Sequence, residues 1–286
     1  MGLAYASLAE SHKAIECYRK ALDIFCQTGD RRNEGATLTN LGLTHADLAE
    51  TRLAINFYEQ ALVIYREIGD HRSEGATLGN LGLAYYDFDE PRRAIEFYEQ
   101  QLAISRELND LRNVASSLGN QGNAYRALGD PKRAIALHEE QLRIFQQLGD
   151  QRDEGIALSN LGAAHAALGE FHHAINLYNR RLVIARDLDD RRGEGATLNN
   201  LGLAYADLGE YQQALEFYRQ SLLIKQEIGD RRGQANALWN MSLVLDKLGE
   251  RPQSIIYAEN ALKIYEQIEA FATVAKIRKQ LGVWSK

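Results

Sequence analysis

A forty-residue repeat runs through the 286-residue chain and constrains its fold more than any other feature. Asp recurs at this period, Arg stands two positions after each Asp, and Leu and Asn follow at eight and ten positions. The aspartates are Asp30, Asp70, Asp110, Asp150, Asp190 and Asp230. A fixed period of this size is typical of a solenoid, in which each repeat buries its apolar face against its neighbours.

Each repeat divides into two amphipathic segments, called helix A and helix B here. In one repeat the apolar spacing predicts helix A over roughly Glu194 to Leu208 and helix B over roughly Tyr211 to Ile228. Gly209 makes the turn between them, and Gly229 ends helix B where a residue with positive φ is usual. Asp230 then stands where a helix N-cap is expected. Because strand-like alternation is absent, the chain is predicted to be all-α.

Small residues recur where the two helices of a repeat would cross. Gly202 on helix A and Ala214 on helix B are predicted to let the helices approach closely, with Tyr205 and Phe217 filling the space beside them. The pattern Leu-Gly-x-x-Tyr, Gly-x-x-x-x-Ala, Phe-Tyr and Ala/Ser-Leu resembles the tetratricopeptide repeat. Its forty-residue form is similar to Pins-type polarity adaptors, kinesin light chain and the repeat regions of bacterial signal-transduction NTPases.

The resemblance covers nearly the whole chain. It implies a right-handed superhelical α-solenoid of antiparallel helix pairs, whose helices A line a concave groove that binds peptides. We expect a single solenoid over 1–286, with a partial first repeat at 1–30 and a capping helix at 270–286. The six full repeats are predicted at 31–70, 71–110, 111–150, 151–190, 191–230 and 231–269.

Both ends of the chain depart from the repeat. Met1 to Tyr5 matches the middle of a helix A, which suggests a fragment or a truncated start. We expect this end to fray or to pack against another copy. At the other end, Arg278 and Gln280 stand where full repeats have Leu and Asn, as a capping helix requires.

Charge and composition exclude several classes of protein. The formal net charge of −6 argues against a general nucleic-acid binder. No apolar run approaches the ~18 residues of a membrane helix, and no secretory signal precedes the repeats. Cys17 and Cys26 would lie ~13 Å apart along one helix, which is too far for a disulfide. We therefore expect a cytoplasmic protein with no membrane or nucleic-acid partner.

Signals for catalysis are weak. No P-loop occurs, and the Gly193-Glu194-Gly195 stretch lacks the third glycine of a dinucleotide site. No Ser/His/Asp or Cys/His constellation converges. The chain is predicted to be no enzyme and to need no cofactor.

The histidine cluster and the cysteines are interpreted from their positions in the repeat. His165 occupies a column that holds Tyr in three repeats, so we expect a core ring, whereas His172 and His173 should be solvated. No metal site is expected because no Cys or Asp ligand pair completes the cluster. Cys17 replaces Phe and should be buried, whereas Cys26 replaces Arg and should be exposed.

The Asp-x-Arg loops have a structural and a functional interpretation. Arg32 and its equivalents stand beside Asp and usually beside Glu. A local ladder of ion pairs along one edge is favoured over a row of phosphate-binding sites, because the adjacent acids would repel an anion.

An Asn ladder is the main candidate for a binding site. Asn is a poor helix former, yet one recurs at the same position of every full repeat, directly before Leu-Gly in four of them and towards the face opposite the core. A carboxamide has two donors and two acceptor lone pairs, which match a peptide bond, and the resemblance also implies contact with a ligand backbone. The alternative is that the amides only bridge neighbouring helices. The ladder consists of Asn40, Asn80, Asn120, Asn160, Asn200 and Asn240.

Residues beside the ladder would select the ligand. Leu83, Asn123, Arg126 and Leu203 are the predicted selecting residues. Further apolar contacts are expected from Leu43, Leu243 and Trp239. Because Asp outnumbers Lys and Arg on this face, we expect a neutral or basic protein or peptide ligand.

Three hypotheses follow. The first is a non-enzymatic protein-interaction scaffold that binds an extended peptide segment of a partner. The alternative is a sensor or regulatory region cut from a larger signalling protein such as a bacterial NTPase. The third is self-association through the partial N-terminal repeat.

Overall fold

The computed structural model describes residues 10–284, which form fourteen α-helices and no strand. The expected fraying of Met1 to Leu8 lies outside the described residues. The first seven helices are α1 (Ser11–Thr28), α2 (Arg31–Asp47), α3 (Thr51–Ile68), α4 (His71–Asp87), α5 (Pro91–Glu107), α6 (Leu111–Ala127) and α7 (Pro131–Leu148). The remaining seven are α8 (Gln151–Ala167), α9 (Phe171–Asp187), α10 (Arg191–Asp207), α11 (Tyr211–Glu227), α12 (Arg231–Lys247), α13 (Arg251–Gln267) and α14 (Phe271–Trp284).

The chain divides into two compact units, 1–145 and 146–286, with the boundary inside α7. In the first unit α1 to α5 each pack on the next helix, and in the second unit α8 to α13 do the same. Helices A of successive repeats also contact one another, as α2, α4 and α6 in the first unit and as α8, α10 and α12 in the second. Each unit therefore has a layer of adjacent helices A.

Each full repeat begins at its aspartate. The Asp side chain accepts a hydrogen bond from the backbone N–H three residues later, as from Asp190 to Gly193 at 2.9 Å. This bond satisfies one of the orphan donors of the first turn. The predicted N-cap role is confirmed, whereas the start predicted at Glu194 was three residues late. Because Asp190 caps the helix, α10 begins at Arg191.

The chain reverses direction every twenty residues through a residue in the left-handed region. Gly209 and Gly229 take this role with φ of 82° and 69°, as predicted. Five turns use a residue other than Gly in the same conformation. These are Ala49, Asp89, Asn109, Asp189 and Glu269.

In four of the six full repeats, a Tyr ring of helix B packs on the backbone of a Gly of helix A. A Cβ atom at Gly202 would lie 2.5 Å from Cε1 of Tyr218, so only Gly fits beneath that ring. Tyr205 and Phe217 stack beside it with their ring centroids 5.2 Å apart. The predicted close approach is confirmed, and its reason is the Tyr218 ring lying across Gly202.

This packing predicts opposite effects for two glycines in the same column. Gly202→Ala should lower the free energy of unfolding by about 1 kcal/mol, because the overpacking of Tyr218 outweighs the gain in helix propensity. Gly282→Ala should leave it unchanged or raise it by up to ~1 kcal/mol, because nothing lies within 4 Å of the added Cβ. Urea unfolding measures both variants. Equal effects at the two positions would contradict the proposed role of the ring.

Ion pairs link successive helix pairs along one edge. Among the arginines of the Asp-x-Arg loops, Arg32 bonds Asp70, the N-cap of the next helix A, at 3.2 Å, in agreement with the structural interpretation. Two arginines in the last turns of helices B extend this edge. Arg66 bonds Glu74 at 2.8 Å, and Arg186 bonds Glu194 at the same distance. Because each of these guanidinium groups already pairs with a carboxylate, the ion pairs favour the structural interpretation over phosphate binding.

The cysteines partly match expectation. Cys26 is exposed as predicted, but Cys17 is half-buried rather than buried. Within residues 10–284, no helix has the length and apolar character needed to cross a membrane.

Candidate peptide-binding face

The six Asn side chains lie half-buried on the helices A, at the residue before each buried Leu-Gly or equivalent pair. Among the described residues, five of them have no side-chain hydrogen bond. The exception is Asn240, whose Nδ2 donates to Oδ1 of Asn199 at 3.2 Å. The bridging role is therefore observed at one position of the ladder, between α12 and α10.

In the first unit Asn80 lines a small cavity between α2 and α4. The cavity has a volume of about 170 Å³. Leu43 and Leu83 form exposed apolar walls, and Asp87 places a carboxylate at the rim. The rest of the lining consists of Ala46, Thr51, Tyr58 and Ala84. A side chain entering here would meet apolar walls, an amide and one negative charge.

Tyr58, which also lines this cavity, contributes no charge to it. Tyr58 is almost fully buried, and this burial, together with the charge of Asp47, raises the pKa of its phenol to about 12. The phenol is therefore neutral across the physiological range, and the carboxylate of Asp87 is the charge that an incoming group would meet.

In the second unit a polar cavity of about 230 Å³ lies between α10 and α12 above α11. It contains two cations, Lys225 and Arg232, and one acid, Asp230. Lys225 is buried and pairs with Asp230 at 3.0 Å. Three amides complete the polar lining, from Asn199, Asn200 and Asn236. Sequence reasoning missed Lys225, because helix B was assigned to the core.

The predicted selecting residues divide between the units. Leu83 and Leu203 are exposed, at 46% and 41% of their surface. Asn123 and Arg126 are half-buried on α6, and Nε of Arg126 is enclosed without a hydrogen-bond partner. Trp239 was wrongly predicted to be a groove contact. It is buried against Trp284 of α14, with ring centroids 6.2 Å apart.

A buried polar cluster in the first unit replaces the usual core. His138 stands where four other full repeats have Tyr, and Gln121 stands where the same four have Leu. His138 is fully buried, with Nδ1 3.1 Å from Oε1 of Gln141 and with Nε2 unpartnered. Burial first, and the charge of Arg126 second, lower the pKa of this imidazole to about 4. The sequence signal for this cluster was the presence of two polar residues, His138 and Gln121, at core positions of the same repeat.

The histidine cluster of the second unit differs from expectation. His165 is partly exposed rather than a core ring, whereas His172 and His173 are exposed as predicted. Glu170 lies beside them, with Oε2 2.6 Å from Nδ1 of His165. The argument against a metal site considered only Cys and Asp as further ligands and overlooked Glu170, which supplies a third donor beside His165 and His173.

A family model described as Tetratricopeptide repeat matches residues 1–67, 53–107, 113–187 and 193–267. The chain therefore belongs to the tetratricopeptide repeat family, and it is an all-α solenoid of helix pairs. A search of curated proteins found no match.

Solved structures share this fold at low sequence identity. The apo form of RapI is 21% identical over 94% of this chain and 96% of its own, with a TM-score of 0.76. A Rap protein complexed with Competence and Sporulation Factor is 16% identical over 88% and 75%, with a TM-score of 0.65. A STAND protein with a tetratricopeptide repeat sensor from Pyrococcus horikoshii is 17% identical over 92% and 41%, with a TM-score of 0.71.

Proposed function

We propose that this chain is a non-enzymatic protein-interaction scaffold, and that its helices A bind an extended segment of a partner protein. Asn80 and Asn120 grip the segment in the first unit, and Asn160 and Asn200 do so in the second. The observation that carries the proposal is that these four half-buried amides make no side-chain hydrogen bond to any residue that the structure describes. A helix gains nothing from such an Asn, because its amide competes with the backbone.

Backbone recognition suits this chemistry. A carboxamide offers two donors and two acceptor lone pairs and can bond both the N–H and the C=O of a peptide unit. The bond forms with a group that every residue of the partner has, so the ladder supplies affinity with little sequence preference. A relative with the same fold was solved in complex with Competence and Sporulation Factor, which agrees with a binding role.

Side-chain selection comes from the cavities beside the ladder. In the first unit, Leu43 and Leu83 suit an aliphatic stem, and Asp87 suits a cationic head. Lys and Arg side chains have this combination, because their stems pack on apolar surface while their charges stay near water. The first unit should therefore prefer segments with a basic residue, and Asn123 and Arg126 add polar contacts further along its layer of helices A.

The ladder can be tested with a peptide selected from a random library on the intact chain. Asn80→Ala combined with Asn120→Ala should weaken a peptide bound by the first unit about tenfold, because two amide bonds are each worth roughly 0.5–1.5 kcal/mol and ~1.4 kcal/mol is tenfold. Asn160→Ala with Asn200→Ala is the equivalent variant for the second unit. Fluorescence anisotropy gives the dissociation constants, and thermal unfolding checks the fold.

Asn240→Ala is the matched control. Its amide bonds Asn199, so this variant should lower the melting temperature and leave peptide affinity nearly unchanged. If the paired variants behave like the control, losing stability while keeping affinity, the amides are helix bridges and the proposed site is wrong.

A second candidate function is a sensor or regulatory region of a larger signalling protein. The supporting observation is that a STAND protein with a tetratricopeptide repeat sensor has this fold over 92% of the chain, which corresponds to 41% of that protein. The coding sequence upstream of Met1 distinguishes the two candidates. An in-frame nucleotide-binding domain there would favour the sensor.

A further inference from the structure

The turn between α8 and α9 brings together three metal-ligating side chains. His165 lies in the last turn of α8, Glu170 directly precedes α9, and His173 lies in the first turn of α9. One donor atom from each lies within 4.8 Å of the other two. We infer that this trio, the turn triad, binds a divalent late transition metal, with zinc as the leading candidate.

Two positions of the repeat differ together at this turn. In an earlier repeat, Tyr85 stacks on Phe97, and Arg93 lies over the Tyr85 ring while pairing with Glu90. In the turn triad, His replaces both the Tyr and the Arg, and the acid is retained. Each replacement supplies an imidazole, which is the commonest metal ligand in proteins.

The packing of His165 also differs from that of its equivalents. The corresponding rings His45, Tyr85 and Tyr205 stack on a Phe of helix B, with centroids 5.2 Å apart. In this repeat the Phe position holds Leu177, and His165 stacks on His173 at 5.4 Å instead. Its ring is only partly buried, so its donor atoms are reachable from solvent.

The electrostatics favour a cation at the triad. Glu90 pairs with Arg93, and Asp130 pairs with Arg133 at the same turn of two earlier repeats. Within the part of the chain that the structure describes, Glu170 pairs with no Lys or Arg, only with His165. A bound metal ion would supply the positive charge that Arg supplies elsewhere.

The ligand set fits zinc. Two imidazoles and one carboxylate leave a fourth position for water, and zinc bonds of about 2.0–2.2 Å place neighbouring ligand atoms about 3.4 Å apart in a tetrahedron. Donor atoms that lie as far apart as 4.8 Å must approach by about 1.4 Å to reach this spacing, which rotation of the His173 and Glu170 side chains allows. Imidazole ligands also suit copper and nickel, which therefore compete for the same site.

Calorimetric titration of the untagged full chain with zinc chloride tests the inference. One zinc ion should bind per triad, and His173→Gln and Glu170→Gln should each weaken binding at least about tenfold. Gln already stands at the His173 position in the next repeat, and the Glu170 side chain makes no cap bond, so neither change should disturb the fold. His172→Gln is the control and should bind zinc as the wild type does.

No zinc binding by the wild type would overturn the inference. Binding that survives both His173→Gln and Glu170→Gln would overturn it too, because the ion would then be held elsewhere. Neither result bears on the peptide-binding face, since the titration involves no partner.

Discussion

Asp190→Ala is expected to lower the free energy of unfolding by about 3–5 kcal/mol, because it leaves a buried guanidinium without its counter-ion. Arg181 is 4% exposed, and its Nη2 donates to Oδ2 of Asp190 at 2.5 Å. The second guanidinium nitrogen, Nη1, is already enclosed without a hydrogen-bond partner. Removing the carboxylate therefore leaves the buried guanidinium of Arg181 without a counter-ion.

The protonation of Asp190 agrees with this role. Burial would raise the pKa of its carboxyl, but the Gly193 N–H and the Arg181 guanidinium together hold the pKa below its usual value. The carboxylate is thus kept charged near neutral pH, as the pair requires.

Asp110→Ala is the matched control. Asp110 caps α6 by accepting from the N–H of Asn113 at 3.1 Å, and no buried cation bonds it among the described residues. Its loss should cost about 1 kcal/mol, which is the usual value of an N-cap. Chemical denaturation followed by circular dichroism compares the two variants.

A double variant separates the cap from the buried charge. Arg181→Ser introduces the residue that the next repeat has at this position, where Ser221 bonds the backbone oxygen of Gly195 at 2.7 Å. In the Arg181→Ser background, Asp190→Ala should cost only about 1 kcal/mol. If Asp190→Ala lowers the free energy of unfolding equally with Arg181 and with Ser at position 181, the buried, unpaired guanidinium is not the cause of the loss.

Acid should destabilise the protein through His138, and His138→Tyr should remove that sensitivity. Burial holds the imidazole pKa to about 4 in the folded chain, against ~6.5 when unfolded. The unfolded state therefore takes up the proton first, so this contribution is present above pH ~6.5 and is lost as the pH falls towards about 4. Between pH 7 and pH 5 the loss should be about 2 kcal/mol.

Tyr is a conservative replacement at position 138. Tyr98 and Tyr178 occupy this position in the flanking repeats, each over a Gly, and Gly122 leaves the same space beneath His138. Urea unfolding at pH 7 and pH 5 gives the loss for each protein, and carboxyl groups titrating in both cancel in the comparison. If both proteins lose equal stability, the buried histidine does not set the acid response.

Much of the fold was predictable because its determinants are local. The Asp cap acts on a backbone N–H three residues away, and Gly209 and Gly229 act on their own φ angles. The alternation of helix and turn every twenty residues follows from these signals, and the stacked pair Tyr205 and Phe217 was readable from the helical period. Helix starts were less accurate, because the apolar pattern begins one turn after the cap.

The candidate site was only partly predictable, because burial and pairing depend on contacts between separate helices. By itself the sequence determined the repeat, its helix pairs and an Asn on helix A of every full repeat. Only the tertiary structure decided that Trp239 is covered by α14 and that Asn240 bonds Asn199, while the other five amides have no side-chain hydrogen bond within residues 10–284. It also decided that Glu170 meets both histidines of the turn triad. The physical reason is that a helical period assigns a residue to a face, whereas the packing of neighbouring helices determines what that face contacts.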